Sequence, residues 1–435
     1  MYFQPYRYYS TRYIIFFQAK IYKKCTICNT LERVAVIVLL YSSMEKIYLD
    51  WAATTPMDPD VAPDMVDMYL HTSANPSSTH TPGRNAHKVL EETRETCASL
   101  LKVDHKQLIF TSGGTESNSL PLVSLIRQKS SGEILLSKIE HSAVYELSSL
   151  FRELGYQVKE VAPDENGIIQ PSAVRRQLSR ETIAVAVMLV NNEVGSIQPI
   201  AEISREIRSF EKEQNTRIHL HCDAVQALGK LPIEPQQLEV DTMAFSGHKF
   251  MAPKGVGMLY IRKSFTPLVN GGGQEYGLRP GTENVPAIWA FGEVLKKRYD
   301  RMHVEYAQAS QLRNLLLEHL GTTDGVKPFP QQRTDRPESE FSPYIIALSV
   351  APVPGEICAR VLNDRGYAVG TGSACSSNRK KKRGRVIYAM TSDEESARGI
   401  IRVSSGHTTT VQEIEMFAET LQQELRLLRK TVGRG

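Results

Sequence analysis

The stretch Thr242-Met243-Ala244-Phe245-Ser246-Gly247-His248-Lys249 joins a short apolar run directly to a polar turn that contains glycine. Such a run predicts a buried β-strand, and the turn predicts a strand end that opens onto a functional site. Similar runs recur between Gln107 and Ile261, and helix-length segments separate several of them. This alternation predicts an α/β domain with a mostly parallel sheet, in which ligands bind at the carboxyl ends of the strands.

The pattern changes after about Val285. A long, charged, helical stretch comes first, and strand-like runs then mix with amphipathic segments as far as the C-terminus. This mixture predicts a second, smaller α+β domain.

Residues 1–43 differ in composition from the rest of the chain. They hold six basic side chains, one acidic side chain and ten aromatic residues, but neither glycine nor aspartate. Met44 then opens a segment that is typical of a domain start. We interpret residues 1–43 as an upstream extension that arises from a mis-assigned start, with a transit peptide as the alternative.

The overall composition indicates a globular protein and argues against nucleic-acid and membrane partners. The chain has 435 residues, of which 41% are hydrophobic and 23% charged, which is typical of a soluble globular protein. Without residues 1–43 the chain is close to neutral, so no direct nucleic-acid partner is expected. No apolar run reaches the roughly 18–20 residues of a membrane-spanning helix, so no membrane partner is expected.

The cysteines indicate a reducing compartment. There are six, at positions too scattered for a disulfide framework, which predicts a cytoplasmic protein. Cys25 and Cys28 form a lone CxxC motif that lacks the further ligands of a zinc site. No intrinsic metal is therefore expected.

Two residues at predicted strand ends suggest cofactor chemistry. Lys249 stands in a stretch with little charge, where burial would lower the pKa of its amine and make it a Schiff-base nucleophile. An ordinary surface lysine is the alternative, and Lys254 is its local competitor. Asp223 ends the run from Ile218, where a buried carboxylate could pair with the protonated nitrogen of a pyridine ring. A cap for the following helix explains Asp223 equally well.

Two further segments suggest a phosphate and a thiol. The turn Thr111-Ser112-Gly113-Gly114-Thr115-Glu116 leads from a strand into a helix, whose N-terminus favours an anion. Cys375 lies in the small-residue stretch Gly372-Ser373-Ala374-Cys375-Ser376, which predicts an accessible thiol that could act as a nucleophile. Burial, the usual state of a free cysteine, is the alternative for Cys375.

Together these segments resemble the NifS/IscS-type cysteine desulfurases, which are aminotransferase class V enzymes of the pyridoxal-phosphate fold type I. The resemblance covers roughly residues 46–430, and the Gly-Ser-Ala-Cys loop is similar to that of the group I branch. The segments that carry it occur in the family's order: Asn75-Pro76-Ser77-Ser78-Thr79-His80, Gly113-Gly114-Thr115-Glu116, Glu140-His141, Val190-Asn191-Asn192-Glu193, Asp223-Ala224-Val225-Gln226, Ser246-Gly247-His248-Lys249, Arg279-Pro280-Gly281-Thr282 and Gly372-Ser373-Ala374-Cys375.

The resemblance implies an architecture. It is a fold-type I transferase with a large domain over residues 57–300, built on a mostly parallel seven-stranded sheet. Residues 44–56 and 301–435 would form the small α+β domain with the catalytic cysteine loop. A homodimer with shared sites is implied as well, because Thr282 matches a position that reaches the phosphate of the other subunit.

The resemblance also implies the chemistry. Pyridoxal 5′-phosphate would be the cofactor and L-cysteine the substrate. Lys249, His141 and Cys375 would be catalytic, and the Cys375 thiolate would take the sulfur as a persulfide and leave alanine. Arg402 would bind the substrate carboxylate with help from Asn75. The cofactor contacts implied are His141, Lys249, Gly114, Thr115, Asn192, Asp223, Gln226, Ser246, Gly247, His248 and Thr282.

The sulfur acceptor stays open. A NifU/IscU-like scaffold for iron–sulfur clusters and a tRNA-thiolation protein both fit, and Cys375 could be a transient iron–sulfur ligand. A selenocysteine lyase or aminotransferase on the same fold is an alternative, as is a catalytically silent scaffold protein. The thiol of Cys375 argues against an aminotransferase, and the intact catalytic set argues against a silent scaffold.

Two features are not explained by the family pattern. His407 stands where the family commonly has an arginine. Residues 379–385 carry six basic side chains just after the Cys375 loop, which predicts either a solvated helix start or a docking patch for an acidic sulfur acceptor or a tRNA-modifying partner.

Overall fold

The computed structural model describes residues 46–72, 74–127, 131–321, 323, 325–372 and 384–432. The extension 1–43, Cys375 and the basic residues 379–383 lie outside the described residues. The chain divides into two units, residues 1–47 and residues 48–435, and the first of these is described only at residues 46 and 47.

Two separate sheets contain the strands. In chain order the strands are β1 (Ile47–Leu49), β2 (Leu108–Thr111), β3 (Glu133–Ser137), β4 (Gln157–Val161), β5 (Thr182–Ala186), β6 (His219–Asp223), β7 (Thr242–Ser246), β8 (Gly257–Ile261), β9 (Lys327–Phe329), β10 (Ile345–Ser349), β11 (Tyr367–Thr371) and β12 (Ile400–Ser404).

The larger sheet has seven strands in the order β2-β8-β7-β6-β5-β3-β4. Four neighbouring pairs are parallel, and β8 runs antiparallel to both β7 and β2. The prediction of a mostly parallel seven-stranded sheet is confirmed. Strands β5, β7 and β8 are buried along their whole length, as expected of strands covered on both faces.

Helices surround the two sheets and connect their strands. They are α1 (Ala62–His71), α2 (Thr81–Leu101), α3 (Gly114–Ser124), α4 (Ser142–Tyr145), α5 (Leu147–Glu153), α6 (Pro171–Gln177), α7 (Ile200–Gln214), α8 (Val285–Gly321), α9 (Gly355–Asp364), α10 (Arg385–Met390), α11 (Glu394–Arg398) and α12 (Val411–Val432). Helix α7 buries Ile200, Ile203, Ile207 and Phe210 at helical spacing in the core that contains the sheet residues. Over the residues described, no helix has both the length and the apolar character needed to cross a membrane.

The smaller sheet has five strands in the order β1-β11-β12-β10-β9. Strand β12 pairs antiparallel with both β10 and β11, and Gly370 of β11 stands opposite Arg402 of β12. This sheet combines strands from the N-terminal and C-terminal parts of the described chain. The predicted boundary at residue 300 falls inside α8, which runs without a break from Val285 to Gly321, so the division into domains stays a prediction.

Candidate active site

The carboxyl ends of β2, β3, β5, β6 and β7 meet at one edge of the large sheet, because these five strands run in the same direction. The turns that the sequence singled out follow four of these ends. Gly114 comes after β2 and His141 after β3, while Asp223 ends β6 and Lys249 follows β7. The topology therefore collects residues that are far apart in the sequence.

A cavity of about 460 Å³ lies at the start of α3, among Thr54, Ser112, Gly113, Gly114, Thr115, Glu116, Ser246, His248, Lys254 and Gly255. A Cβ on Gly114 would lie only 3.1 Å from Val225 Cγ2, so a side chain there would crowd the turn. The Ser246 hydroxyl is buried and has no hydrogen-bond partner among the described residues. An unused donor beside a helix N-terminus fits a phosphate group.

Two basic residues border this cavity and differ in environment. His248 Nδ1 lies 3.1 Å from Thr54 Oγ1, and burial lowers the pKa of its ring to about 4, helped by Lys249 and Lys254. The ring is therefore neutral at pH 7, and its interaction with a phosphate would be a hydrogen bond. Lys254, the competitor of Lys249, is an exposed residue of the cavity wall.

The amine of Lys249, a half-buried residue, is bound by two backbone carbonyls. Its Nζ donates to the carbonyl of Ala52 at 2.8 Å and to that of Ala53 at 2.7 Å. The segment before Thr55 thus holds the amine in place, a contact that sequence patterns did not predict.

Asp223 is buried, and both of its carboxylate oxygens accept hydrogen bonds. Oδ1 accepts from the backbone N–H of Val225, and Oδ2 accepts from Asn118 Nδ2, each at 2.9 Å. The Val225 bond is the local contact of a helix cap, whereas the Asn118 bond comes from α3. Burial raises the pKa of the carboxyl group, and the charge of Lys249 and a proton on His141 would oppose that shift. A cation such as a protonated pyridine nitrogen would favour its charged form.

His141 is the N-cap of α4. Its Nδ1 accepts a hydrogen bond of 3.1 Å from the N–H of Ala143, so the neutral ring carries its proton on Nε2. Burial lowers the pKa of the ring, while the charge of Asp223 raises it. A neutral ring with one fixed tautomer suits stacking on a cofactor and donation from Nε2.

Arg385 supports the loop of His141, which the sequence did not indicate. Its guanidinium donates to the carbonyls of Lys138 and Glu140 and lies 3.8 Å from the centre of the Tyr145 ring. The sequence predicted that Arg385 belongs to the basic run 379–385, either as a docking patch or as a solvated helix start. That prediction is wrong for Arg385, because its side chain binds groups inside the protein. The other basic residues of that run lie outside the described part of the chain.

Gln226 shares a backbone acceptor with Lys249, and Asn192 contacts Arg402. Gln226 Nε2 donates to the same Ala52 carbonyl at 2.8 Å, and Gln226 Oε1 accepts from Lys230 Nζ at 3.2 Å. The backbone carbonyl of Asn192 accepts from Arg402 at 2.8 Å. Lys230 was missed by sequence reasoning, although burial lowers the pKa of its amine to about 7.

Arg402 is buried in β12, and its Nη2 lies 2.6 Å from Asp50 Oδ1. Asn75 and Thr282 are exposed residues of loops, and Asn75 Oδ1 accepts a bond from the N–H of Ser77. Among the described residues, no hydrogen bond links Asn75 or Thr282 to the other predicted site residues. Their predicted contacts with the substrate and with a second subunit stay predictions.

His407 has a definite partner. Its Nδ1 lies 2.7 Å from Glu305 Oε2, and Glu305 Oε1 accepts from Arg298 at 2.9 Å. Burial lowers the pKa of His407, although the Glu305 carboxylate opposes that shift. The residue that departs from the family pattern therefore joins a buried charge network between α8 and the end of β12.

The residues present fit pyridoxal 5′-phosphate. The cavity at α3 and the unpartnered Ser246 hydroxyl suit its phosphate, Asp223 suits its ring nitrogen, and Lys249 offers an amine. Across the described ranges, no group of three or more histidine, cysteine and acidic residues is arranged to hold a metal ion.

Comparisons with known proteins identify the family of the chain. The profile of the family described as Aminotransferase class-V matches residues 47–417. A relative from Dictyoglomus turgidum named Cysteine desulfurase IscS is 35% identical over 388 residues, which are 88% of this chain and 95% of that protein.

Two solved structures are similar as well. One titled NifS-like protein has a TM-score of 0.80 and 32% identity, over 88% of this chain and 100% of its own. Another, titled SspA in complex with cysteine, has a TM-score of 0.70 and 27% identity, over 82% of this chain and 98% of its own. The chain therefore belongs to the aminotransferase class-V family, whose members depend on pyridoxal 5′-phosphate.

Proposed function

We propose that the chain is a cysteine desulfurase that transfers the sulfur of L-cysteine to the thiol of Cys375 and releases L-alanine. One observation carries the proposal: Asp223 is buried near His141 and Lys249, at the sheet edge that also holds the cavity at the start of α3. The relative named Cysteine desulfurase IscS and the structure of SspA with cysteine support the same substrate.

Bound pyridoxal 5′-phosphate supplies a protonated ring that accepts electron density when a bond at the substrate Cα breaks. Asp223 would keep the ring nitrogen protonated by supplying a buried negative charge. Lys249 would hold the cofactor covalently and then, as a free amine, take the proton from the substrate Cα and return it. His141 would stack on the ring, with its Nε2–H available as a donor.

The cofactor's remaining contacts are proposed from the wall of the cavity and the strand ends. Gly114, Thr115, Ser246, Gly247 and His248 would surround the phosphate, with the N-terminal N–H groups of α3 as donors. Asn192 and Gln226 would contact the phenolic oxygen, which requires the Gln226 amide to exchange its present bond with Ala52.

The sulfur step balances without an added oxidant. The Cys375 thiolate attacks the sulfur of L-cysteine, a new S–S bond forms, and the C–S bond of the substrate breaks. The carbon that loses sulfur gains a proton, so that L-cysteine and one thiol give L-alanine and one persulfide. A second thiol can then take the terminal sulfur.

The described cysteines support the choice of Cys375. Cys97, Cys222 and Cys358 are all buried, and burial raises the pKa of each thiol, to about 12 for Cys97 and Cys358. A thiol needs access and a lower pKa to act as a nucleophile at neutral pH. The small residues around Cys375 favour such access. Free thiols of this kind also favour a reducing compartment such as the cytoplasm.

The exposed surface of helix α1 supports the proposal of a homodimer. Helix α1 has no buried residue, and its Val66 and Leu70 side chains are exposed. Tyr69 of the same helix donates to Asn284, two residues from Thr282. An apolar helix surface next to the predicted intersubunit residue fits contact with a second copy. The persulfide would pass to a NifU/IscU-like scaffold or another acceptor protein.

The proposal is tested by locating the covalent bond to the cofactor and by measuring the products. The protein from Met44 is loaded with pyridoxal 5′-phosphate, reduced with borohydride and digested, and the labelled peptide is identified by mass spectrometry. We expect the label on Lys249 and equal amounts of alanine and sulfide from L-cysteine with a thiol reductant. Lys249→Ala should lose both the label and the products, whereas Lys254→Ala should keep the label. A label on Lys254 would contradict the proposal.

A further inference from the structure

The guanidinium of Arg402 keeps donors available for a ligand. Of its five N–H groups, one on Nη1 donates to the Asn192 carbonyl at 2.8 Å and one on Nη2 to Asp50 at 2.6 Å. Its Nε is buried and has no partner among the described residues. Because Nε is closed off from the site, the remaining N–H groups of Nη1 and Nη2 are the pair from which a carboxylate could accept.

Asp50 is fixed beside this guanidinium by the backbone around it. Asp50 pairs with Ser404, two residues beyond Arg402, and the N–H of Ala52 donates to Ser404 Oγ at 2.9 Å. The Asp50 carboxylate is still 20% exposed, while the Arg402 side chain is only 6% exposed. The two charges therefore lie at the boundary between the buried strand and the open site.

Gly370 completes the arrangement from the neighbouring strand. A Cβ at this position would lie 2.7 Å from Arg402 Nη2, 2.8 Å from Asp50 Oδ1 and 2.9 Å from Arg402 Nε. No side chain larger than hydrogen can occupy this space without displacing the ion pair. Asp50 and Gly370 thus set the position and direction of the Arg402 guanidinium.

The same N-terminal segment reaches the amine of the site. Two residues after Asp50, the Ala52 carbonyl accepts from Lys249 Nζ, and the Ala53 carbonyl accepts from it as well. A shift of this segment would move the group that recognises a carboxylate and the reacting amine together. Residues 50–53 therefore set the distance between a carboxylate bound at Arg402 and the amine of Lys249.

We propose that Asp50 is a positioning and specificity residue, which holds the Arg402 guanidinium in place and neutralises part of its charge, so that the site accepts one carboxylate group and disfavours a second. This inference rests on the proposed function, in which Arg402 binds the carboxylate of L-cysteine. A carboxylate that reaches the free donors of Arg402 lies close to the Asp50 charge. One bidentate contact outweighs that repulsion, but a second negative group nearby meets only repulsion.

The test measures carboxylate binding to the holoenzyme by isothermal titration calorimetry, with propionate and malonate as probes. Asp50→Asn keeps an acceptor for Nη2 and removes the charge. We expect the Kd of propionate to fall roughly three- to tenfold and the Kd of malonate to fall further. The KM for L-cysteine should fall while kcat does not rise, because tighter carboxylate binding also slows release of alanine.

A residue with a merely structural role would behave in the opposite way, since its loss weakens binding. Unchanged or weaker propionate binding in Asp50→Asn, or an equal gain for propionate and malonate, overturns the proposal. Absence of propionate binding to both proteins overturns it too. Glu340→Gln, which breaks the exposed ion pair with Arg336, is the matched control and should change neither Kd.

A second variant tests the geometry. Gly370→Ala should weaken propionate binding, because its methyl group displaces the guanidinium, and normal binding in this variant contradicts the placement. The calorimetry does not depend on turnover. If the parent protein bound propionate but made no alanine, the proposed function would fail while the proposal for Asp50 would be judged on its own result.

Discussion

Asn118 Nδ2 donates a hydrogen bond of 2.9 Å to Asp223 Oδ2, and Asn118 Oδ1 accepts from His221 Nε2 at 2.8 Å. His221 Nδ1 accepts in turn from Thr242 Oγ1 at 2.9 Å. Burial lowers the pKa of His221 to about 3, so its ring is neutral at pH 7. The carboxylate can only accept, and this fixes the direction of every bond in the series. A buried relay of donors therefore ends on the residue proposed to hold the cofactor's ring nitrogen.

Replacing Asn118 with Leu should weaken cofactor binding. The change leaves Asp223 Oδ2 without its donor and His221 without its acceptor, and each such loss costs about 1–3 kcal/mol. We expect the dissociation constant of pyridoxal 5′-phosphate, measured by absorbance titration, to rise at least about tenfold. Ser119→Ala, one residue along α3, is the control and should keep the parent value. Equal affinity in Asn118→Leu and the parent would contradict the role of the relay.

Glu193 should make stability depend on pH. Its Oε2 is buried without a partner among the described residues, and burial raises the pKa of the carboxyl group from 4.5 to about 7, against the effects of Arg402 and Arg385. Because the folded pKa is the higher one, this contribution to stability is complete below about pH 4.5 and is lost as the pH rises through about 7.

Glu193→Gln removes this titration. Its thermal midpoint, relative to that of the parent, should therefore increase between pH 5 and pH 8 by roughly 1–3 °C. Differential scanning calorimetry of the two holoenzymes at both pH values checks the prediction. A difference that is constant or decreases with pH would show that the carboxyl group does not titrate in this range.

Arg385 should be required for turnover. Arg385→Gln removes a guanidinium that donates to the carbonyls of Lys138 and Glu140, just before His141, and stacks on Tyr145. We expect alanine production at saturating L-cysteine to fall about tenfold or more, because His141 loses its support. The rate of alanine formation with a small thiol reductant is the measurement. Undiminished turnover would mean that the loop keeps its position without Arg385.

The neighbouring lysines are predicted to act on a different step. Reversing the charge of Lys380, Lys381 and Lys382 should leave alanine production with a small thiol unchanged. It should reduce the transfer of radiolabelled sulfur to an acidic acceptor protein, because the predicted docking patch loses its positive charge. Normal transfer in the reversed variant would leave the solvated helix start as the explanation of this run.

The parts of the site that follow strands could be predicted from the sequence. Lys249, Asp223 and the turn at Gly114 are marked by local patterns, a buried run followed by polar or glycine residues, and parallel strands bring such ends together. The same patterns predicted the large sheet. The same kind of local pattern predicted that the whole basic run is exposed. This was wrong for Arg385, because tertiary contacts place its side chain against the loop of His141.

The supporting residues could not be predicted in this way. Asn118 lies inside a helix, and nothing in its neighbourhood indicates that it faces a carboxylate on β6. Asp50 and the carbonyls of Ala52 and Ala53 act on Arg402 and Lys249, which are distant in sequence. Lys230 resembles any other lysine until burial lowers its pKa. Long-range packing decides these contacts, and a single sequence does not record it.

Cys375 is proposed to receive the sulfur of L-cysteine, and a single turnover tests this step. Alanine and protein-bound persulfide are measured for the parent protein, Cys375→Ala and the control Cys358→Ala. Cys358 is buried in α9, and burial raises the pKa of its thiol to about 12, so its loss should leave the reaction intact. We expect one persulfide per alanine in the parent and the control, and neither product in Cys375→Ala, which should still bind pyridoxal 5′-phosphate. Alanine formation at the parent rate in Cys375→Ala would contradict the claim.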